Sequence, residues 1–213
     1  MTAALDILLN DDPEQRSPEW FNARLGRFTS SRFGELMTGE KKPLTESATA
    51  MKVVCEKAIE AVSSDRKEFS APSTDHGTEY EPEAVAAYQA NQGVTVIDSP
   101  LIKKGSAFGG SPDGLVGLDG LIEVKCPYNL VNHVHTFETL QVPKKYIWQV
   151  QGNLWVTGRE WCDFISYSPF MPEASKIVIV RATRDKELIE RLVKRLHQAE
   201  ELKQLLIKKL TGQ

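Results

Sequence analysis

The stretch that most constrains this chain is residues 121–127, LIEVKCP. Its apolar and β-branched residues read as a strand, which Pro127 ends. Successive side chains of a strand point to opposite faces. Glu123 and Lys125 therefore share one face, and Ile122, Val124 and Cys126 the other. A carboxylate and an ammonium thus stand side by side on a strand that is otherwise mostly apolar. Ser111-Pro112-Asp113-Gly114 precedes it by one short hairpin, so Asp113 can lie beside Glu123 on the neighbouring strand. Two adjacent carboxylates repel each other unless a cation or a proton intervenes. Oxygen-only ligands select a hard cation such as Mg²⁺. Lys125 can then hold or deprotonate a water, its ordinary pKa of about 10.4 lowered by neighbouring cations. From these three residues alone, a surface hairpin with solvated charges and one i,i+2 ion pair remains the plain alternative.

The surrounding pattern supplies an α/β frame. Residues 18–38 read as two short helices flanking a turn at Gly26–Ser31, followed by a polar loop over 39–48. Residues 49–62 carry apolar groups at helical spacing, and 63–76 are polar and expected to be mobile. A helix runs from about Thr78 to Ala90, with Pro82 tolerable only in its first turn. Residues 94–102, VTVIDSPLI, read as one strand, and 107–120 as turns with a short strand. A helix over 143–157 precedes two more strands, WCDFISYS and KIVIVRA. Residues 184–210 form a long amphipathic helix with Leu188, Leu192, Leu196, Leu202, Leu206 and Leu210 among its apolar positions; core packing is its plain reading. Helices, a group of strands, a helix, two strands and a final helix specify a layered α/β domain with a central mixed sheet. The 213 residues, 41% hydrophobic, suit one domain, 1–213.

Composition narrows the function classes. No apolar run approaches the roughly 18 residues of a membrane span. The N-terminus has no basic region and carries acids just after its apolar patch, which argues against a secretory signal. Cys55, Cys126 and Cys162 are odd in number and lack CxxC spacing, so zinc ligation and a disulfide framework are poor readings; they read as small buried hydrophobes in a reducing cytosol. The formal net charge is −3, whereas a nucleic-acid binder is usually basic. DNA binding then requires positive charge concentrated on one surface.

Two further residues extend the acid cluster. Glu81 lies on its helix with Ala84, Val85 and Tyr88, so a carboxylate on the apolar stripe aims inward and needs a partner. An acid favoured by the helix dipole is the alternative, and it accounts better for Glu79 and Glu83. Gln149 lies near one face with Tyr146, Val150 and Leu154, where a structural hydrogen-bonder is the plain reading. His133 and His135 are spaced to share a strand face, weak evidence for a metal site as an isolated pair, and His76, just before Gly77, could approach a metal, although a loop residue is its plain reading.

Taken together, these segments resemble a known family. Gly77-Thr78-Glu79-Tyr80-Glu81 matches the G-x-x-x-E motif of RecB-like nucleases. SPDGL followed by IEVKCP is similar to the core of the lambda exonuclease (YqaJ-like) family of PD-(D/E)xK nucleases. YIWQVQGNLWVTG resembles that family's next helix, and EWFNARLGRFTSS its N-terminal segment, so the resemblance runs from about residue 18 to 183. Asn153 departs from the tyrosine that RecB-like proteins usually carry four residues after the glutamine. The resemblance implies a restriction-endonuclease-like core over 77–167, a DNA-end segment over 18–38 and the C-terminal helix 184–210. Asp113 would bridge two Mg²⁺ ions, with Mn²⁺ as an alternative. Glu123 and the Val124 carbonyl would complete one shell, and Glu81 would support the second ion. Lys125 would position or activate the attacking water, with Gln149 orienting the site. Arg24 and Ser31 would hold the 5′ phosphate. It further implies a homotrimeric ring on linear double-stranded DNA, processive 5′→3′ digestion, a single-strand annealing protein as partner and the cytoplasm of a bacterial host. Another PD-(D/E)xK endonuclease, a RecB-like nuclease and a catalytically inactive DNA-binding module are the rival readings.

Overall fold

The structure, a computed structural model, describes residues 13, 15–63 and 73–213, with the side chains of 73–78 left aside. The N-terminal signal reading and most of the expected mobile stretch 63–76 lie outside the described residues.

Local capping chemistry starts the helices. Ser17 accepts from the Trp20 N–H at the head of α1 (Pro18–Arg24), where Pro18 gives up an N–H that the first turn does not use. A short strand β1 (Phe28–Thr29) leads directly into α2 (Ser30–Leu36). Ser47 caps α3 (Ala48–Val62). The next helix, α4 (Ser73–Gln92), begins before Thr78. Pro82 is therefore interior rather than in the first turn, and its missing N–H forgoes one rung of the helical ladder.

The strand expected over 94–102 is two strands, β2 (Val96–Ile97) and β3 (Ile102–Lys104), belonging to different sheets. Pro100 cannot donate to a ladder and restricts Ser99 before it, so the chain turns there. After β4 (Phe108–Gly110) come β5 (Gly114–Val116) and β6 (Gly120–Lys125), joined by the expected short hairpin. Residues 130–139, where the histidine spacing pointed to a strand, form the helix α5 (Leu130–Thr139), capped by Asn129. His133 is buried, its ring nitrogens bonded to Ser166 Oγ at 2.8 Å and the Ser175 carbonyl at 2.7 Å, while His135 is exposed. The two therefore do not form a pair. α6 (Ile147–Thr157), β7 (Trp161–Tyr167), β8 (Ile177–Thr183) and α7 (Lys186–Thr211) complete the order.

The larger sheet runs β2-β5-β6-β7-β8, with β6 and β7 parallel and the other neighbours antiparallel. A smaller one runs β1-β4-β3. The larger sheet is covered on both faces. Ala84 and Tyr88 of α4 pack on Ile122, Val124 and Ile165. Val150 and Leu154 of α6 pack on Leu121, Cys162 and Phe164 of the opposite face. A third cluster joins α2, α3 and α7 through Phe33, Leu36, Val53, Leu192 and Leu196. The leucine stripe of α7 is thus spent mainly on the core; burying each such side chain stabilises by about 2 kcal/mol. Cys126 and Cys162 are buried and Cys55 is half-buried, all as free thiols.

Candidate active site

The alternation of β6 puts Glu123 and Lys125 on the face covered by α6, because Ile122 and Val124 are needed by α4 on the other. Glu123 is wholly buried at 0% exposure. Its Oε1 pairs with Lys125 Nζ and accepts from Gln149 Nε2 at 2.5 Å, and its Oε2 accepts from Asn153 Nδ2 at 2.9 Å. Gln149 and Asn153 are one helical turn apart, so a single face of α6 presents both carboxamides.

Asp113 stands just before β5. Its N–H donates to the Ile122 carbonyl at 3.1 Å, while its Oδ2 accepts the Val124 N–H at 2.7 Å and lies 3.9 Å from Lys125 Nζ. Lys125 also donates to the Val124 carbonyl at 3.0 Å. Burial, reinforced by Asp113, pushes the Glu123 carboxyl up to about 8 against the pull of Lys125. Burial lowers Lys125, but Glu123 and Asp113 outweigh it and hold the ammonium above the usual lysine range. The depression expected from neighbouring cations is not supplied by the chain, since the groups facing Lys125 are carboxylates.

Glu81 sits at the rim, half-buried, and its Oε2 takes Arg16 Nη2 at 2.7 Å. Burial first, and Asp113 second, raise its carboxyl pKa against the pull of Arg16. No group of three or more acids, histidines or cysteines converges closely enough among the described residues to hold a metal as it stands. The reason is visible in the bonds: Glu81 is engaged by Arg16, and Glu123 by Lys125, Gln149 and Asn153. The donor chemistry itself is that of a hard-cation site, with two clustered carboxylates, a backbone carbonyl beside them and a third acid at the rim. His76 lies in α4 rather than in a loop, and its side chain is outside the described ones.

Arg24, the last residue of α1, donates to Thr29 Oγ1 at 3.0 Å and Ser31 Oγ at 3.2 Å, and its guanidinium lies over the Trp20 ring at 4.1 Å. Burial depresses its pKa to about 10, with Glu60 opposing. A cavity of about 230 Å³ brings Arg24 and Ser31 together with Asp113, Glu123, Lys125 and Gln149; Glu81 and the Val124 carbonyl are not part of its lining. Sequence reasoning missed Arg16 and Trp20, which also line this cavity, and treated Asn153 only as a departure from a motif. The available signal for Asn153 was its i+4 spacing from Gln149.

An aspartate ahead of a Glu-x-Lys strand on a mixed sheet, flanked by helices and with a helix acid at the rim, defines the PD-(D/E)xK class of nucleases. Within that class, residues 19–160 match the YqaJ-like viral recombinase domain, and the chain belongs to that family. An alkaline exonuclease from Laribacter hongkongensis superposes with a TM-score of 0.83 at 34% identity, over 92% of this chain and 97% of that one. A structure of the same exonuclease in complex with dAMP matches at 35% identity with the same TM-score and coverage. A phage-related exonuclease from Haemophilus somnus 129PT shares the fold at a TM-score of 0.70, with 20% identity over 86% of this chain and 96% of that one. No curated protein sequence matches the chain significantly. Family and neighbours make this a DNA exonuclease enzyme. No described helix is long and apolar enough to cross a membrane.

Proposed function

We propose that the chain is a Mg²⁺-dependent exonuclease that degrades one strand of linear double-stranded DNA from a phosphorylated 5′ end, leaving 3′ single-stranded DNA. The observation that carries this reading is the shared cavity. Arg24 and Ser31 open into the same 230 Å³ space as Asp113, Glu123 and Lys125. A terminal phosphate held at the first pair leaves the next phosphodiester within reach of the second group. The dAMP bound by the Laribacter enzyme has the form of the nucleotide that such cutting releases.

Arg24 offers a planar fork of donors, and a terminal phosphate carries more charge than an internal one. Its present bonds to Thr29 and Ser31 hold that fork at the head of α2, where phosphate is favoured by free N–H groups. Asp113, Glu123 and the Val124 carbonyl would hold one cation, and Asp113 with Glu81 a second once Arg16 releases that acid. Cations held by these residues would supply charge neutralisation at the attacking and the leaving oxygen. Lys125, kept protonated by its carboxylates, donates to the attacking water or to a phosphate oxygen and steers it in line. Gln149 and Asn153 hold the Glu123 carboxylate in one orientation.

The reading extends to a homotrimeric ring, processive 5′→3′ digestion and a single-strand annealing protein as partner in a bacterial cytoplasm. In favour of self-association, α5 exposes Val131, Val134 and Phe137, and Leu140 just beyond its end is exposed as well. The helices α2 and α7, which could also offer surfaces for a ring, turn their apolar residues mainly to the core.

The test is nucleotide release with Mg²⁺ from linear duplexes bearing 5′ phosphate or 5′ hydroxyl, alongside covalently closed circles. Release from phosphorylated linear ends is expected. Cutting of closed circles would replace the reading with an endonuclease, and binding without cutting would leave an inactive DNA-binding module. Light scattering reporting a monomer, with distributive digestion, would remove the ring.

A further inference from the structure

Beside the cleft lies a second groove of about 500 Å³. It shares Ser31 and Gln149 with the cleft, and passes between α2 and the turn that leads into α6. Lys144, Lys145 and Trp148 line the side formed by the turn and α6, and Glu35 lies on the α2 side. Both lysines are exposed, and neither has an acid within ion-pair reach among the described residues. Glu35 is paired with Arg32, which contacts its two oxygens at 2.7 and 2.9 Å and also reaches Glu56, so Glu35 is at most one negative charge against the two lysines. The groove therefore carries a surplus of positive charge on a chain whose net charge is −3. Trp148 is half-buried, with the Arg191 guanidinium 5.4 Å from its ring centre.

We propose that this groove seats the uncut strand of the DNA, as the single-stranded tail exposed by digestion. The inference rests on the exonuclease reading. The cut strand ends in the cleft at Arg24 and Ser31, so nothing of it runs on past its terminal phosphate. Only the complementary strand continues there, and its bases have just lost their partners. Unpaired bases stack on an aromatic ring while lysines follow the backbone, the combination that binds single strands without reading sequence. Holding the tail there also draws it away from the strand it left, which keeps the next base pair from reforming over the cleft.

The experiment measures anisotropy of labelled, 5′-phosphorylated duplexes, blunt or with a short 3′ thymidine tail, in the presence of EDTA. The tail is expected to tighten binding by about tenfold, the effect of one stacked base with its phosphate contacts. K144E/K145E should erase most of that gain and flatten the salt dependence of the tailed duplex by about one to two in log–log slope. Trp148→Ala should weaken the gain, and Trp148→Phe, which keeps a ring, should restore it. Equal affinity of the wild type for the two duplexes overturns the proposal, as does an undiminished tail effect in K144E/K145E of unchanged melting temperature. A wild type that releases nucleotides but ignores the tail loses the groove alone, whereas one that releases none loses the exonuclease reading beneath it.

Discussion

The central sheet carries two buried carboxylates on adjacent parallel strands, and they are treated in opposite ways. Asp163 on β7 opposes Ile122 and faces α4; Glu123 on β6 opposes Phe164 and faces α6. Asp163 receives both arms of the Arg181 fork at 2.8 Å and the Tyr88 hydroxyl at 2.7 Å. One anion meets one cation, and the account is closed. Glu123 also has a cation, Lys125, but that ammonium faces Asp113 as well, and the remaining donors are neutral carboxamides. On the α6 face two carboxyl groups share one ammonium, whereas on the α4 face Asp163 has a cation of its own. Burial alone therefore does not mark a functional acid; an acid short of positive charge does.

The largest test of this contrast removes the surplus site. Lys125→Ala and Asp113→Ala should each lower nucleotide release by about 10³-fold or more. Asp113→Ala should also weaken Mg²⁺ binding in calorimetry more than Glu81→Ala does. Near-normal turnover in Lys125→Ala at saturating Mg²⁺ would falsify its role.

The second test exchanges stability for activity. Asp163→Ala strands the Arg181 and Tyr88 donors and should cost about 3 kcal/mol in denaturant unfolding, with turnover per folded molecule retained. Glu123→Gln should do the reverse, removing activity and sparing the fold. The sign follows from the raised carboxyl: the folded pKa near 8 lies above the unfolded value of about 4.3, so in EDTA this group erodes stability as pH rises between the two. Glu123→Gln should remove that part of the slope. A steeper slope in the variant would break the comparison.

Smaller effects come from the edges of the cleft. Arg24→Ala should slow initiation about 10- to 100-fold on 5′-phosphorylated ends, and much less on 5′-hydroxyl ends, measured on protein of unchanged secondary structure. Asn153→Ala should lower kcat several-fold with KM for DNA little changed, about the effect of one hydrogen bond to a charged group. Asn153→Asp should be worse, since it places a like charge against Glu123.

How far this arrangement was legible depended on how local its cause is. Strand alternation is a property of neighbours in the chain, so Glu123 and Lys125 could be placed on one face of LIEVKCP and the hairpin to Asp113 could be drawn. The helical face bearing Gln149 was equally readable. Residues 130–139 were not, because LVNHVHTFET mixes valines with polar residues in a strand-like alternation. What makes them a helix is the Asn129 cap, together with His133 reaching Ser166 and Ser175, contacts 33 and 42 residues distant. The split at Ser99-Pro100 was legible and was overlooked in favour of the β-branched run around it. Arg16 on Glu81, 65 residues away, had no sequence signal at all. Asn153 illustrates a different failure: compared with a motif it was an absence, and in the folded protein it is a donor to the buried acid.

The hydrogen bond from the Val124 N–H to Asp113 Oδ2 has a consequence for how such a chain can drift. The β5–β6 register pairs Gly114 with Ile122, so position 112 would face 124 if the ladder ran on. Pro112 stands there, its carbonyl taken by Gln15, and the Asp113 side chain closes the rung instead. One oxygen is thus employed twice, as a tie in the sheet and as part of the acid cluster. A lineage released from selection for cutting would still be selected for the tie. Asparagine keeps an acceptor at that place and alanine does not. Descendants that have lost activity should therefore carry asparagine there more often than alanine, preserving the outline of a site they no longer use.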